Sequence, residues 1–514
     1  MIVKRTADAG SIQHTFAFGK KKLIRAFFGS EQQTRIGGAP LLLEFELTIG
    51  LVAGAAACMK DYRASGQVTY SLYQLLWLRV LLICCGFEDV LDWQLLAHDP
   101  GLDLAMAIEG EVVGLPSQAT GCRFENGISS TNCMRLAIWL IWSYITSKKC
   151  PPKSVRLDFD GSCVPAHGQQ QGTSYRKYYD CQMYFPLFVF DEDGVLITAI
   201  LRPGSDGEAR MTVPVLKRLV GVFRKAWPGV EILVVMDSAF SDPAIYDWCE
   251  DHDVYYLIKL RNAGHGGGGL FSHSHEMAAD CKESFGRRFG TARYSKTKTS
   301  KAEIEKAIRA KSDKKERKKE LEELGRRLAL RYGEFMYQTG KGGNDPKQWR
   351  QRRRVLASCA YDDWGSHRTF WVTNYPSGDP EHLINHVYSR RGVAELRIKD
   401  AKAFRCDKLS CEKFVANQFR LLVHVLAQRL LFQFRSRMSE TVQRMALESI
   451  REQFIRIPAL IREKARIIEL VWAADFPFKN VMHGLCSRLA RDRQRPPDWF
   501  TEFQSFVKPA LSLS

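Results

Sequence analysis

The order of hydrophobic patterns between residues 153 and 260 constrains the fold of this chain more than any other feature. Ser154 to Asp160 alternates strictly between apolar and polar side chains, which predicts a β-strand that Gly161 ends. Val230 to Met236 is almost continuously apolar, which is typical of a central strand buried on both faces. The predicted elements are, in chain order, strands over 154–160, 178–190 and 195–201, a helix over 212–227, a strand over 230–236, a helix that begins near 243 and a strand over 254–260.

This order is that of a ribonuclease-H-like α/β domain, in which an antiparallel meander is followed by strands added in parallel through helical crossovers. In such a sheet the first and the fourth strand are neighbours. Asp160 and Asp237 stand at the C-terminal ends of these two strands. Because the active sites of open sheets gather at those ends, the two carboxylates are candidate catalytic residues.

Five regions are predicted along the chain. Residues 1–150 carry apolar residues at helical spacing and form a mainly helical N-terminal region. The catalytic core occupies 151–260 and again 379–435, where helical periodicity returns, and a basic, partly β insertion over 261–378 interrupts it. Residues 436–514 are predicted to form a helical C-terminal region.

The charge of the chain indicates a polyanionic partner. Among 514 residues, 75 Lys and Arg stand against 57 Asp and Glu, a net charge of +18. Nucleic acid is the first candidate and an anionic membrane surface the second. The 14 Cys residues include no CxxC pair, and no apolar run is long enough to span a membrane, so we expect a cytosolic protein with reduced thiols and no membrane partner.

Two basic segments of the insertion are candidate DNA contacts. Residues 293–331 hold 15 basic and 7 acidic side chains and are predicted to form an exposed helix, which is either a solvated face or a DNA contact. Residues 347–354 mix basic groups with an aromatic ring, so phosphate neutralisation and base stacking are both available there. Trp349, Arg352 and Arg353 are the candidate DNA-binding residues of this segment.

Four polar residues are aligned after residue 387. On one α-helix, Tyr388, Arg391, Glu395 and Lys402 would lie at roughly 0°, −60°, −20° and −40° around the axis, a single narrow stripe. The alternative is an intrahelical ion-pair ladder, in which Arg391 and Glu395 only stabilise the helix. If the stripe faces Asp160 and Asp237, however, Glu395 adds a third carboxylate, and Mg²⁺ prefers such hard oxygen ligands.

Three motifs on these elements carry a resemblance to a known family. They are Leu157-Asp-Phe-Asp-Gly-Ser162, Val235-Met-Asp-Ser-Ala-Phe240 and Tyr388-x2-Arg391-x3-Glu395-x6-Lys402. With them the chain resembles the bacterial insertion-sequence transposases of the DDE class, in the branch with a Tyr-Arg-Glu-Lys signature, over roughly residues 40–435. Many relatives have Thr where Ser162 stands. Asp158 is a rival for the first acidic position, but Asp160 matches the motif.

The resemblance implies a cut-and-paste DNA transposase. Asp160, Asp237 and Glu395 would bind two Mg²⁺ ions, for which Mn²⁺ can substitute, and such ions activate an attacking water and stabilise a leaving oxygen. Tyr388, Arg391 and Lys402 would contact transposon-end DNA. The implied partners are double-stranded DNA, as terminal inverted repeats bound by the N-terminal region and as target, and a second copy in a synaptic homodimer. The implied location is the bacterial cytoplasm, at the nucleoid. The alternatives are another metal-dependent nuclease on the same fold and a catalytically silent, transposon-derived DNA-binding protein.

Several other side chains have a plain structural interpretation beside a functional one. We expect the histidines to be turn or surface residues because no partner stands at a zinc spacing. Glutamines that follow the first strand are candidates to line a DNA groove. Tryptophans of the insertion are candidates to stack on an extruded base, although packing is the simpler role. These residues are His167, His273 and His275; Gln169 to Gln171; and Trp349, Trp364 and Trp371.

Overall fold

The computed structural model describes most of the chain in atomic detail. The described residues are 14–16, 24–26, 31–64, 66, 68–108, 114–166, 168–207, 209–261, 269–294, 300–310, 317, 320–322, 327–339, 348–392, 398–400, 402 and 405–492. Glu395 and His167, both singled out from the sequence, lie outside them.

The described residues form a mixed α/β fold. The strands are β1 His14–Phe16, β2 Ile24–Ala26, β3 Gln33–Thr34, β4 Ser154–Gly161, β5 Val164–Pro165, β6 Ser174–Arg176, β7 Cys181–Tyr184, β8 Leu187–Asp191, β9 Leu196–Ile200, β10 Glu231–Met236, β11 Tyr255–Lys259, β12 Ala329–Tyr337, β13 Arg353–Asp362, β14 Gly365–Thr373, β15 Ala459–Glu463 and β16 Ile468–Trp472. The α-helices are α1 Ala39–Ile49, α2 Leu51–Cys58, α3 Leu72–Cys84, α4 Pro100–Ala105, α5 Gln118–Asn126, α6 Ser130–Ser147, α7 Thr212–Ala226, α8 Pro243–Asp251, α9 Leu270–His273, α10 His275–Phe289, α11 Lys301–Arg309, α12 Pro380–His382, α13 Phe414–Ser436, α14 Glu440–Gln443, α15 Leu447–Ile450 and α16 Lys479–Asp492.

A large mixed sheet positions the candidate site. Its order is β12-β13-β14-β11-β10-β4-β8-β9. The strands β4, β8 and β9 form an antiparallel meander, whereas β10 pairs in parallel with both β4 and β11. The predicted adjacency of the first and fourth strands of the core is thereby confirmed: Leu157 on β4 lies opposite Val234 on β10.

The strand predicted over 178–190 is two strands instead. Phe185 and Pro186 separate β7 from β8, and only β8 belongs to the large sheet, while β7 forms a small sheet with β5 and β6. Proline has no backbone N–H to donate to a strand ladder, so it ends one pairing and lets the chain enter another sheet. The small sheet therefore projects from the meander close to the end of β4.

The segment predicted as an insertion, residues 261–378, contributes strands that continue the large sheet. Its strand β14 pairs antiparallel with β11, and β13 and β12 extend the sheet further. The prediction of an exposed helix over 293–331 is confirmed for α11 but is wrong at its end, where β12 begins at Ala329. The many charged residues of this segment favoured a helix in the prediction and masked the strand pattern of β12. The strand pairs along its whole length with β13.

A helical layer covers the opposite end of the sheet. The helix α13 packs against α3, α6 and the edge strand β9, and α6 also packs against β9. The carbonyls of Leu196 and Ile197 on β9 accept hydrogen bonds from the buried guanidinium of Arg429, and the Gln418 side chain accepts one from the Leu201 N–H. Side chains of α13 thus satisfy a strand edge that would otherwise expose backbone groups.

The predicted buried helix over 72–87 is confirmed as α3, in which ten residues from Leu75 to Cys84 are buried. The pattern over 41–59 forms two helices, because Gly50 between α1 and α2 adopts a left-handed conformation with φ 62°. In the described part of the chain, no single helix is long and apolar enough to cross a membrane; α1 and α2 pass that test only as a pair bent by 61°.

The predictions for the last two regions need correction. Residues 436–492 are not only helical, because β15 and β16 form an antiparallel hairpin whose first strand also pairs with β3. The region 379–435, which was predicted from its helical periodicity, does not consist of α-helix alone: a π-helical turn over Leu383–Tyr388 and a 3₁₀ turn over Ser389–Arg391 precede α13. Hydrophobic periodicity alone does not separate one long helix from several short ones joined by turns.

Candidate active site

Two carboxylates meet at the C-terminal ends of β4 and β10. Asp160 is the penultimate residue of β4, and its side chain is 10% exposed. Asp237 follows β10 directly, is 33% exposed, and accepts a hydrogen bond of 2.8 Å from the backbone N–H of Ala239. That bond caps the short 3₁₀ turn over Ser238–Phe240 and fixes the Asp237 carboxylate at the sheet edge.

The guanidinium of Arg391 joins the two carboxylates. One of its terminal nitrogens lies 3.0 Å from an Oδ of Asp160 and 3.4 Å from an Oδ of Asp237. Since the same nitrogen contacts both, these two distances limit the separation of the two oxygens to about 6.4 Å. The structure therefore brings together three of the residues predicted from the sequence, and it places a positive charge between the two negative ones.

The segment that carries Arg391 differs from the predicted stripe. Tyr388 ends the π-helical turn and packs its ring against Trp371, with ring centroids 5.5 Å apart, whereas Arg391 belongs to the following 3₁₀ turn. The spacing of 100° per residue that aligned the four side chains does not hold across such turns. The proximity of Arg391 to the acids thus does not come from one continuous α-helix.

The positive charge of Lys402 lies near the loop that follows β4. It lowers the pKa of Cys163, although burial is the larger influence and raises that pKa to about 11. Cys163 stands three residues after Asp160 in the chain. The predicted contact of Lys402 with DNA stays a prediction.

The rival acid on β4 has a different environment. Asp158 is 1% exposed and forms a two-point ion pair with Arg156, at 2.8 Å and 3.0 Å. Burial raises the pKa of Asp158 to about 6, although Arg156 opposes this shift. Both carboxylate oxygens of Asp158 are thereby engaged inside the protein, whereas Asp160 faces a cavity together with Asp237. This difference favours Asp160 over Asp158 as the first acid of the site.

A cluster of charged and aromatic side chains packs beside the strand residue that follows Asp160. The ring of Phe185 lies between two guanidinium groups, with Arg176 at 4.8 Å and Arg202 at 4.9 Å from its centroid. Gly161 lets this cluster approach the strand, because a Cβ at that position would lie 2.8 Å from the Phe185 ring and 3.0 Å from Arg202. The glycine after the acid is therefore required by close packing.

The acids open into a cavity of about 280 Å³. One wall is the end of the large sheet with Asp160 and Asp237, and the other is the turn between β6 and β7 with Arg176, Tyr178 and Tyr179. No role was predicted for Tyr178 or Tyr179 from the sequence. Their place in the cavity depends on the separation of β7 from β8, which periodicity did not predict.

The residues predicted to contact DNA in the basic segment divide into two groups. Arg352 is exposed. Arg353 is buried and pairs with Asp247 and Glu250 of α8, while Trp349 is 4% exposed and packs its ring against Tyr246 and Tyr337. A buried ring offers no face to a base, so this packing does not favour DNA contact by Trp349, which stays a prediction.

The remaining candidates mostly pack within the protein. Gln170 donates to the carbonyls of Leu409 and Cys411, and the Gln171 side chain accepts from the Phe414 N–H, so both tie a loop to the start of α13. His273 is exposed and stacks on Phe335, and His275 is exposed. Trp371 is 6% exposed, and Trp364 packs beside Tyr294.

The chemistry of the two acids suits a divalent cation. Carboxylate oxygens are the ligands that Mg²⁺ and Mn²⁺ prefer, and these two are close enough for one cationic nitrogen to contact both. Among the residues that the structure describes, no group of three or more His, Cys, Asp or Glu side chains is placed to hold a metal. The predicted third ligand, Glu395, lies outside the described residues.

Comparison with known proteins identifies the family. The model of the family described as transposase DDE domain group 1 matches residues 16–494. The chain belongs to this family. DDE transposases in general have nuclease and transposase activity on DNA. They generally use divalent metal ions, and the paired carboxylates of this chain agree with that use.

This DDE transposase has a distant similarity to a solved structure. Seven chains of solved structures match, one of them in the cryo-EM structure of a piggyBac transposase synaptic complex with hairpin DNA. That match has 10% sequence identity and a TM-score of 0.35, and it covers 91% of this chain and 85% of the other. No curated protein matches the chain.

Proposed function

We propose that this DDE transposase moves a bacterial insertion sequence by a cut-and-paste route. It would hydrolyse a DNA strand at each end of the element and join the freed 3′-hydroxyl to target DNA. The observation that carries the proposal is the pairing of Asp160 with Asp237 through Arg391 at the ends of two adjacent parallel strands. The strand order β9-β8-β4-β10-β11, which is the order predicted for a ribonuclease-H-like sheet, supports it.

The acidic residues have one role in this proposal. Asp160, Asp237 and Glu395 would hold two Mg²⁺ ions, with Mn²⁺ as a substitute. Such ions supply activation of the attacking water or hydroxyl and stabilisation of the leaving oxygen. The fixed hydrogen bond from Ala239 orients Asp237, and the engagement of Asp158 by Arg156 leaves Asp160 as the acid of β4 that faces the cavity.

The basic residues have another role. Arg391, Lys402 and Tyr388 would contact the phosphates of the transposon end. These three residues belong to the Tyr-Arg-Glu-Lys pattern of the sequence. An arginine matches a phosphate with two parallel hydrogen bonds, as it matches a carboxylate. Arg391 would therefore exchange its contact with Asp160 and Asp237 for a contact with DNA when the acids take up cations.

The partners are proposed on the same basis. Terminal inverted repeats would be bound by residues 1–150 and target DNA by the core, with Arg352 as an exposed cation on the inserted strands. Two copies would hold the two ends in one synaptic complex. The net charge of +18 supports a polyanionic partner and predicts that affinity falls steeply as salt rises.

Strand cleavage of the DNA that flanks the gene tests the proposal. The purified chain should nick duplexes that carry the terminal repeats when Mg²⁺ or Mn²⁺ is present. Asp237→Asn should abolish nicking and keep end binding, since the acid serves the chemistry. Asp242→Asn is the matched control, because Asp242 caps the next helix by accepting from the Ala244 N–H and asparagine does the same.

Each alternative predicts a different outcome. A general nuclease would cut unrelated duplexes as readily as the repeats and would not join them to target DNA. A silent DNA-binding protein would bind the repeats and leave them uncut with every divalent ion. Nicking that survives Asp237→Asn would remove this residue from the catalytic set.

A further inference from the structure

Another cavity, of about 470 Å³, lies between α6, α7, β9 and the first turn of α13. The described residues that line it are all different from those that line the cavity with Asp160 and Asp237. Its volume falls within the range of about 300–1,000 Å³ that is usual for small-molecule sites. The cavity is therefore a candidate ligand site that the proposed function does not use.

The walls of this cavity come from both of the large hydrophobic cores. Cys133 and Ala199 belong to the core that includes α3 and α13, whereas Val215 and Leu219 belong to the core that includes α7 and strands of the large sheet. The two cores thus leave an apolar space between them at this point. Transfer of an apolar group from water into such a space is favourable, so the body of a ligand that fills it is apolar.

A buried hydroxyl lines the same space. Thr198 on β9 is 3% exposed, and its hydroxyl has no hydrogen-bond partner among the described residues. The amide of Gln418, which also lines the cavity, is instead bonded to the N–H of Leu201 and the carbonyl of Ala199. Since an unpaired buried hydroxyl is unfavourable, Thr198 indicates that a polar atom of a ligand comes within hydrogen-bond distance.

One positive charge accompanies this hydroxyl. Arg218 on α7 is half-buried, and it is the only charged side chain among the described residues that line the cavity. No ion pair joins Arg218 to another residue in the described part of the chain. A guanidinium binds a carboxylate with two parallel hydrogen bonds, so an arginine beside apolar walls selects an anion whose remaining part is apolar.

We propose that this cavity binds a medium-chain carboxylic acid that carries a second oxygen on its aliphatic chain. The carboxylate pairs with Arg218, the chain fills the space between the two cores, and the second oxygen bonds to the hydroxyl of Thr198. At about 30 Å³ for a group as large as a water molecule, the cavity holds about 15 such groups, which suits a chain of about ten carbons. The inference goes beyond the proposed function and does not depend on it.

Calorimetric titration of the purified chain with straight-chain acids tests the chain and the head group of the ligand. The affinity should rise about fourfold for each methylene from hexanoate to decanoate, because each methylene leaves water for the apolar walls. Octanoate should bind about tenfold more tightly than octanol, whose head group has no charge. Arg218→Gln should remove this difference. Lys217→Gln is the matched control and should keep it, because Lys217 is exposed on the same helix and is not among the residues that line the cavity.

Hydroxylated decanoates test the role of Thr198. In a series with the hydroxyl at successive carbons, the best isomer should bind about fivefold more tightly than decanoate to the unmodified protein. Thr198→Val should remove that advantage and leave the affinity for decanoate within about twofold, since valine keeps the shape and loses the hydroxyl. The variant should also unfold at the same or a higher temperature, because it lacks the unpaired buried group.

A substitution that fills the cavity tests its location. Ala137→Trp on α6 should abolish binding of every acid, because Ala137 lines the cavity and an indole would occupy the space. Ala137→Leu, a smaller change, should weaken binding to a lesser degree and serves if the tryptophan is not accommodated. Nicking in Mg²⁺ should be the same in these variants as in the unmodified protein, since the described walls of the two cavities share no residue.

Three results would overturn the inference: no binding of any acid by the unmodified protein, equal affinity for octanoate and octanol, or undiminished binding by Ala137→Trp. The first result would leave the cavity to an apolar segment of a polypeptide. Hydroxylated isomers that bind no better than decanoate, or that keep their advantage in Thr198→Val, would contradict the role of the second oxygen. Nicking of the repeats is measured separately, so the proposed function stands or fails independently of each result.

Discussion

Two clusters in this protein pair arginine with carboxylates, and they differ in their access to solvent. The sealed cluster consists of Arg79, Glu125 and Arg420, in which Glu125 lies 2.6 Å from Arg79 and 3.7 Å from Arg420. Each of these side chains is at most 3% exposed. The open cluster consists of Asp160, Asp237 and Arg391, and it faces a cavity in which Asp237 is 33% exposed.

The difference teaches how similar ion pairs serve different purposes. In the sealed cluster the arginines also donate to backbone carbonyls, such as that of Glu88, so α3, α5 and α13 are joined through fixed charges. In the open cluster two like charges share one arginine at a sheet edge. That arrangement gains little for stability but leaves the acids accessible to an exchange of cations.

The largest expected effect separates the two acids of β4. Asp160→Asn should reduce strand cleavage at least about 1,000-fold, because it replaces a negatively charged carboxylate of the open cluster by a neutral amide. Asp158→Asn should instead destabilise the fold by leaving Arg156 without its ion pair, and cleavage per folded molecule should stay within about tenfold. Single-turnover nicking and thermal unfolding of both variants measure the contrast; equal loss of cleavage would make the two acids equivalent.

A substitution in the sealed cluster should act on stability alone. Arg79→Met should lower the free energy of unfolding by about 3–5 kcal/mol, because it leaves the buried negative charge of Glu125 with one fewer arginine to balance it. The double variant Arg79→Met with Glu125→Leu should recover part of that loss. Denaturant unfolding measures both; an unchanged midpoint for the single variant would show that the cluster is not structural.

A third buried acid sharpens the comparison through pH. Glu46 accepts hydrogen bonds from the N–H groups of Val52 and Ala53, and burial raises its pKa from 4.5 to about 8. Between these values the folded state holds a proton that the unfolded state loses, so this contribution to stability is complete below pH 4.5 and declines as the pH rises to 8.

Glu46→Gln should remove that decline. The stability of the variant relative to the unmodified protein should rise by about 1–3 kcal/mol between pH 5 and pH 7, since each pKa unit corresponds to about 1.4 kcal/mol. Thermal unfolding at several pH values measures the trend. A difference between the two proteins that is constant with pH would mean that Glu46 keeps an ordinary pKa and is stabilised as an anion.

The sequence predicted the strands of the core well because their patterns are unambiguous. Two patterns predicted β4 and β10 almost to the residue: the alternation of Ser154 to Asp160 and the apolar run of Val230 to Met236. They therefore also predicted that Asp160 and Asp237 lie close together. Arg391 was also found from its spacing to its neighbours. Its contact with both acids was not derivable, because it depends on two non-α turns.

The elements that were missed depend on distant contacts. The strand β12 is rich in polar and charged residues and is defined by its pairing with β13. The hairpin of β15 and β16 is completed by β3, more than 400 residues away in sequence. The exposure of Tyr178 follows from the change of sheet at Pro186, and a local pattern does not reveal where a chain leaves one sheet for another.

The pairing of β3 with β15 joins residues 33–34 to a strand that is synthesised more than 400 residues later. The indole of Trp472 donates to the carbonyl of Gly37 at 3.0 Å, and neighbouring Ile36 is fully buried. A ribosome must therefore deliver residue 460 before the strand at 33–34 finds its partner. A nascent chain that stops short of that point lacks the partner of β3, so this region is completed only after more than 400 further residues have been added.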